Sequence, residues 1–308
     1  MLRNKQAAHG VRAAAAVAAM LLMAACSSSP AQGPAAGQAR PSGASAARAG
    51  SSAPPGRGAA AAGPPHVVIS RVRSADGSVV TVAIFRGPVQ FVLHYGGADP
   101  GDRYAGLLRA GPAVTGTERQ RLLAAFNGGF LLSAHVGGYV QEEHVIRGLR
   151  AGLGTLVIDR SGHARVGVWG AGLPVPGETI YSARQNMGPL VINGQPAANV
   201  ALWHQWGGTL GHAEYVARSS VGQDAAGDLM VASGMSTIPA DLASALVRNG
   251  AVSGMELDIN PEWVQLDTAR RPGGPLTAAI PGQVRPANQY LTGWTRDFIT
   301  VLAPAAKP

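Results

Sequence analysis

The sequence predicts an α+β fold: a single β-rich domain with a mixed or antiparallel sheet and few helices. Two observations predict it. Short runs of Val, Ile and Leu recur along residues 66–308, broken at close intervals by Gly, Pro and Asn-Gly turn signals. Against these stands one well-formed amphipathic helix, and no internal repeat or second low-complexity linker divides the chain.

The chain has 308 residues, but the first 65 are of a different kind. Residues 1–25 read as a lipoprotein signal peptide. Arg3, Lys5 and Arg12 precede the apolar run from Ala13 to Met23, which is too short for a standard membrane-spanning helix. Small residues then lead into Cys26, the only cysteine, followed by three serines. That pattern resembles a bacterial lipobox, with Met23 where Leu is usual, and makes Cys26 the expected lipidation site. Lipidation also accounts for an odd cysteine in an exported chain. Residues 26–65 are mostly Ala, Gly, Pro and Ser. Such a composition buries too little apolar surface to offset its ordering entropy, so a disordered tether is expected. The expected address is the outer face of the cell membrane, held through the lipid.

The net charge of +8 is mostly a property of this leader. Residues 1–65 carry six basic residues and no acidic one, which leaves 19 basic against 17 acidic residues beyond them. A body so nearly balanced gives no reason to expect nucleic acid as a partner.

In the body, His66 to Arg73, Ser78 to Arg86 and Val89 to Tyr95 read as an antiparallel meander, with turns at Asp76-Gly77 and Gly87-Pro88. Thr117 to Ala125 reads as a helix with Leu122 and Leu123 inward. Gly154 to Asp159 and His163 to Trp169 form a hairpin, and Pro189 to Ile192 is a strand ending in the turn Asn193-Gly194. Tyr215 to Val221 and Asp228 to Ala232 form another hairpin. The clear helix runs from about Pro239 to Asn249: Pro239 lies in its first turn, Leu242, Leu246 and Val247 make its apolar stripe, and Gly250 suits the position just beyond its end. Strands at Gly254 to Ile259 and Phe298 to Leu302 complete the body.

Three motifs carry chemistry. Glu256 and Asp258 lie two residues apart on an apolar strand, which alternation would place on one face, roughly 6 to 7 Å apart. Buried carboxylates are costly unless paired or used, so they are either an acid/base pair or structural acids held by arginines. Arg218 follows Val216-Ala217; its guanidinium suits bidentate binding of phosphate, or equally a structural pairing with Glu256 or Asp258. Asn127-Gly128-Gly129 offers an amide and two backbone positions without Cβ, suited to a ligand's close approach or simply to a tight turn. The histidines His135, His144, His204 and His212 match no metal-ligand spacing. No nucleophile elbow, dinucleotide fingerprint or phosphate-binding loop occurs, and no cofactor or metal is expected; a structural Ca²⁺ is not indicated.

Taken in order, Phe126-Asn127-Gly128-Gly129-Phe130, Ala217-Arg218-Ser219-Ser220-Val221-Gly222, the helix ending at Asn249-Gly250 and Met255-Glu256-Leu257-Asp258 resemble the phosphodiester glycosidase family over roughly residues 122–302. The form Asp258-Ile259-Asn260-Pro261-Glu262-Trp263 looks like that of secreted actinobacterial lipoprotein members of that family. The resemblance implies an exported hydrolase that cleaves a sugar-1-phosphodiester bond in a cell-envelope or extracellular glycan. It implies Asp258, Glu256 and Arg218 as catalytic residues, and Asn127, Gly128, Gly129, Gly222 and Asn260 as substrate-binding ones. The family has Gly-Gly-Gly after the aspartate where this chain has Ile259-Asn260-Pro261, and Pro261 has no N–H to offer. A non-enzymatic glycan-binding or envelope-assembly role for the same cleft is the alternative, with Trp203, Trp206, Trp263 and Trp294 available to stack on sugars.

Overall fold

A computed structural model describes residue 63 and residues 65–305, which lie within one compact unit. The expected signal peptide, Cys26 and all of the tether but residues 63 and 65 fall outside the described residues. Among these, eighteen strands and three α-helices follow in order: β1 (His66–Arg73), β2 (Val79–Arg86), β3 (Gln90–His94), α1 (Gly116–Arg121), β4 (Leu122–Asn127), β5 (Tyr139–Gln141), β6 (His144–Arg147), β7 (Gly154–Ile158), β8 (Ala164–Trp169), β9 (Gly172–Leu173), β10 (Ser182–Gln185), β11 (Pro189–Ile192), β12 (Gln195–Pro196), β13 (Val216–Asp224), β14 (Leu229–Thr237), α2 (Pro239–Arg248), β15 (Ala251–Ile259), β16 (Leu266–Ala269), β17 (Leu276–Ala278), α3 (Gln289–Thr292) and β18 (Phe298–Leu302). The α+β expectation holds, with strand far in excess of helix.

The strands form three sheets. Seven lie in the order β1-β2-β14-β13-β15-β11-β12, six in the order β6-β5-β10-β7-β8-β9, and five in the order β17-β16-β4-β18-β3. Every named pair is antiparallel except β8 with β9. The seven-stranded sheet is apolar on both faces. Along β2, Val80, Val82 and Ile84 join Leu242, Ala243, Ala245 and Leu246 of α2, whereas Ala83 and Phe85 enter a core shared with Phe126, Leu156 and Ile299 of the other two sheets. The period of two thus gives each side chain one of two cores.

Two expectations are corrected. The first three strands are not a meander: β2 pairs with β1 and β14, while β3 pairs with β18 in another sheet. Gly87, at φ +83°, turns the chain out of the sheet, and Phe91 then packs edge-on to Phe85 across the shared core, with ring centroids 5.9 Å apart. The helix expected over Thr117 to Ala125 ends at Arg121, and Leu122-Leu123-Ala124-Ala125-Phe126 is strand β4, wholly buried. A short apolar run buried on both sides carries no period that separates helix from strand. The hairpins, the Asn193-Gly194 turn, α2 and the last two expected strands lie where the sequence places them. Asn249 closes α2 and Gly250 follows at φ +93°.

Candidate functional site

The segment from Asp258 to Trp263 sits where β15 leaves the sheet. Strict alternation fails there: Ser220 faces Glu256 and Arg218 faces Ile259, so β15 holds one residue more than β13 between these points. This bulge is filled by Ser219, whose hydroxyl donates to the Asp258 carbonyl at 3.0 Å and accepts the Asp258 N–H at 3.1 Å. The two acids consequently find different partners. Glu256 pairs with Arg218 Nη1 at 2.6 Å, and both side chains are fully buried. Asp258 pairs with Arg296 Nη2 at 2.7 Å, and its other oxygen accepts the Ile259 N–H at 2.8 Å.

Asp258, Arg296 and Asn260 form the polar part of a hollow of about 160 Å³, walled by Phe130, Leu131, Ala134, Ile259, Gly208 and Trp263. Arg296 reaches this place from the residues just before β18. Its guanidinium lies over the Trp263 ring at 4.6 Å, and Nη2 also donates to the Gly129 carbonyl at 3.2 Å. Its Nε has no partner among the described residues. Burial pushes the Asp258 carboxyl up to about 7, against the pull of Arg296 and the Ile259 amide in the other direction. Burial likewise pushes Glu256 up to about 8 despite Arg218. Of the two acids, Asp258 is the one that meets the hollow.

Apart from Asn260, which lines the hollow, the other residues named from sequence fall into a supporting frame. Asn127 is buried and fully engaged: its amide donates to Ser219 Oγ at 2.8 Å and to the Gly128 carbonyl at 2.9 Å, and its oxygen accepts the Gln265 N–H at 3.1 Å. Through Ser219 it braces the bulge at Asp258. Gly128 and Gly129 wrap a buried ion pair. A Cβ on Gly128 would stand 1.9 Å from Asp297 Oδ2, and one on Gly129 2.9 Å from the centre of the Arg184 guanidinium. Arg184 Nε donates to Asp297 at 2.8 Å, and Arg184 also holds the Phe130 carbonyl. The glycines therefore serve the approach of this pair, which fixes the wall of the hollow.

Gly222 is remote in role: it faces Gly254 across the strands, and a Cβ there would meet Leu246 of α2 at 3.0 Å. It is a packing glycine beneath the helix. Arg218 does not line the hollow; its Nη1 is shared between Glu256 and the Trp206 carbonyl. Asn260 has φ +75°, a left-handed conformation that asparagine tolerates and that a glycine would adopt freely. Its side chain accepts the Leu210 N–H at 3.0 Å and so holds a neighbouring loop. Of the tryptophans, Trp263 lines the hollow, while Trp206 and Trp294 are buried.

Sequence reasoning missed Arg296, Asp297 and Arg184. The readable signal was Thr295-Arg296-Asp297, an ion-forming pair between Trp294 and the buried run Phe298 to Leu302. Among the described residues, no three His, Cys, Asp or Glu side chains cluster as a metal site requires.

No protein-family model matches the chain, and no curated protein matches it in sequence. Solved structures resemble it in outline. One is the zebrafish N-acetylglucosamine-1-phosphodiester alpha-N-acetylglucosaminidase catalytic domain, auto-inhibited by its pro-peptide, at 12% identity over 78% of this chain and 83% of that one, with a TM-score of 0.49. A hypothetical protein from Synechocystis matches at 13% identity over 78% of this chain and 62% of its own, with a TM-score of 0.48. A putative exported protein from Burkholderia pseudomallei matches at 13% identity over 73% and 74%, with a TM-score of 0.39. Likenesses this distant transfer no residue role and no activity.

Proposed function

We propose that this chain is an exported hydrolase of the phosphodiester glycosidase type, which cleaves the bond between a sugar's anomeric carbon and a phosphodiester oxygen in an envelope or extracellular glycan. The observation that carries the reading is the Asp258–Arg296 pair in the wall of a hollow. It sets a carboxyl held near 7 beside a guanidinium with an unpartnered N–H. The motif order that resembles the family supports it independently.

In this reading Arg296 takes over the role the sequence suggested for Arg218 and holds the phosphodiester charge. Asp258, protonated near neutral pH, gives its proton to the phosphate oxygen as the bond from that oxygen to the anomeric carbon breaks. Water adds to that carbon, and the products are a free sugar and a phosphomonoester. Glu256, Arg218, Asn127 and Ser219 hold the bulge in place. Hydrolysis needs no cofactor in this scheme, and the partners are the glycan and, through Cys26, the membrane.

Asp258→Asn is expected to lower hydrolysis of a sugar-1-phosphodiester by about 10²- to 10⁴-fold, the usual worth of a positioned acid. Undiminished turnover would remove Asp258 from the chemistry. If neither chain hydrolyses such substrates and both bind them, the glycan-binding alternative takes over. For the anchor, Cys26→Ala should release the protein from the membrane fraction; retention there would refute lipidation at this position.

A further inference from the structure

The hollow beside Asp258 is too small for the ligand proposed above. Its volume is about 160 Å³, whereas small-molecule pockets ordinarily run to roughly 300–1,000 Å³. For the hollow to enclose a sugar linked through phosphate to a second group, one wall has to move. The wall at Phe130 is locked by Arg184 and Asn186, which bond its carbonyl and its N–H. The floor belongs to β15, and Trp263 is capped by Arg296. Of the other walls, Leu131 and Ala134 lie at the exposed rim, and Gly208 belongs to the 19-residue connection between β12 and β13.

This connection, residues 197–215, contains only two three-residue 3₁₀ turns, and most of it is exposed. Connections of this length in a compact domain are uncommon, and an active-site lid is one of the uses they serve. Trp206 is its one fully buried side chain. Gly207 at φ +89° and Gly211 at φ +64° provide the backbone freedom of hinges. Arg218 and Asn260 tie the connection to the strands below, through the Trp206 carbonyl and the Leu210 N–H.

Under the Trp206 carbonyl lies an arginine with unpartnered N–H groups. Arg218 uses only Nη1; its Nε and Nη2, the two-pronged edge of the guanidinium, have no partner among the described residues, and neither has Oε2 of Glu256. That edge has the geometry to grip an oxyanion. It is also the neighbour of the hollow in register, because Arg218 lies opposite Ile259.

We propose that residues 197–215 are a lid and that their opening both enlarges the hollow and uncovers Arg218, so that a phosphodiester anion is held between Arg218 and Arg296. The identity of the anion rests on the function proposed above, but the lid can be tested without hydrolysis. A lid that must open reduces apparent affinity in proportion to the closed population. Loosening it therefore tightens binding, provided that Arg218 is present.

The test is calorimetric titration of the full-length chain with dimethyl phosphate. Trp206→Ala removes the plug. Gly207→Ala prises the lid up by a different route, since its Cβ would meet Phe130 at 2.7 Å. Either is expected to bind the diester several-fold more tightly than the parent chain, with the gain lost when Arg218→Gln is added. Unchanged affinity in both lid variants, or the same gain without Arg218, overturns the proposal. In the unaltered chain, saturating dimethyl phosphate should speed hydrogen exchange at the Leu210 amide by breaking its bond to Asn260; unchanged or slower exchange counts against the lid even if the variants misfold. Absence of hydrolysis in the parent chain would instead sink the enzymatic reading and leave the binding result standing.

Discussion

At the scale of single residues, the molecule separates acids that the sequence presents as a pair. Glu256 and Asp258 differ by two positions, yet one bulge residue directs them to different arginines. This division gives them different fates: Glu256 is sealed with Arg218, and Asp258 meets the hollow with Arg296. Arg296 holds the Asp258 carboxyl below the value that burial alone would give. Arg296→Gln should therefore let the Asp258 pKa rise. If Asp258 acts as the acid, the alkaline fall of kcat/KM that begins near pH 7 moves to higher pH. At the same time kcat/KM for a phosphodiester should drop by about 30-fold or more, as loss of one partner of a buried charge contact costs about 2–5 kcal/mol. A pH–rate profile of the two chains checks both; an unmoved alkaline limb would separate Arg296 from the titrating acid.

At the scale of elements, the glycines show how one residue type serves unlike ends. Gly128 and Gly129 admit the Arg184–Asp297 pair, whereas Gly222 and Gly254 admit Leu246 of α2. Gly128→Ala should be severely destabilising, because its Cβ would stand 1.9 Å from a carboxylate already committed to a buried arginine. Gly222→Ala meets the end of Leu246 and the Ser253 carbonyl, both at 3.0 Å, and should cost about 1–3 kcal/mol, the range for overpacking a core. Urea unfolding of both variants tests the order; equal small losses would mean that the β4 end can shift away from Asp297. The elements themselves were readable where pattern and punctuation agreed. Proline, leucine stripe and glycine delimit α2, and Asn193-Gly194 marks its turn. The helix expected at Thr117 failed because a double-sided buried strand and a buried helix share the same apolar run.

At the scale of the whole molecule, the burial of three acids bears on the response to pH between 5 and 8. Asp267 is pushed up to about 7 by burial, with only the amides of Gln265 and Gln283 against its oxygens. Asp258 and Glu256 are raised in the same sense. The folded chain thus keeps protons that the unfolded chain releases above about pH 4, so stability is present at low pH and is lost as pH rises through about 7 to 8. The urea midpoint should fall between pH 5 and pH 8, a tenfold difference in proton affinity between folded and unfolded chain being worth about 1.4 kcal/mol. Asp267→Asn should flatten that fall, and an identical slope in the variant would show that Asp267 does not titrate there.

Local chemistry was enough for the β-rich class, the hairpins and α2. These depend on composition, period and turn residues, all of which act between near neighbours. Packing decided the rest. Arg296 reaches Asp258 across 38 positions of chain, Asp297 reaches Arg184 across 113, and Ser219 fills the bulge from 39 away. Nothing in spacing reveals such meetings, because they follow from which strands become neighbours. That in turn depends on how three sheets share one core. The guanidinium that faces the hollow is therefore Arg296, while the arginine that the sequence offered lies beneath a loop.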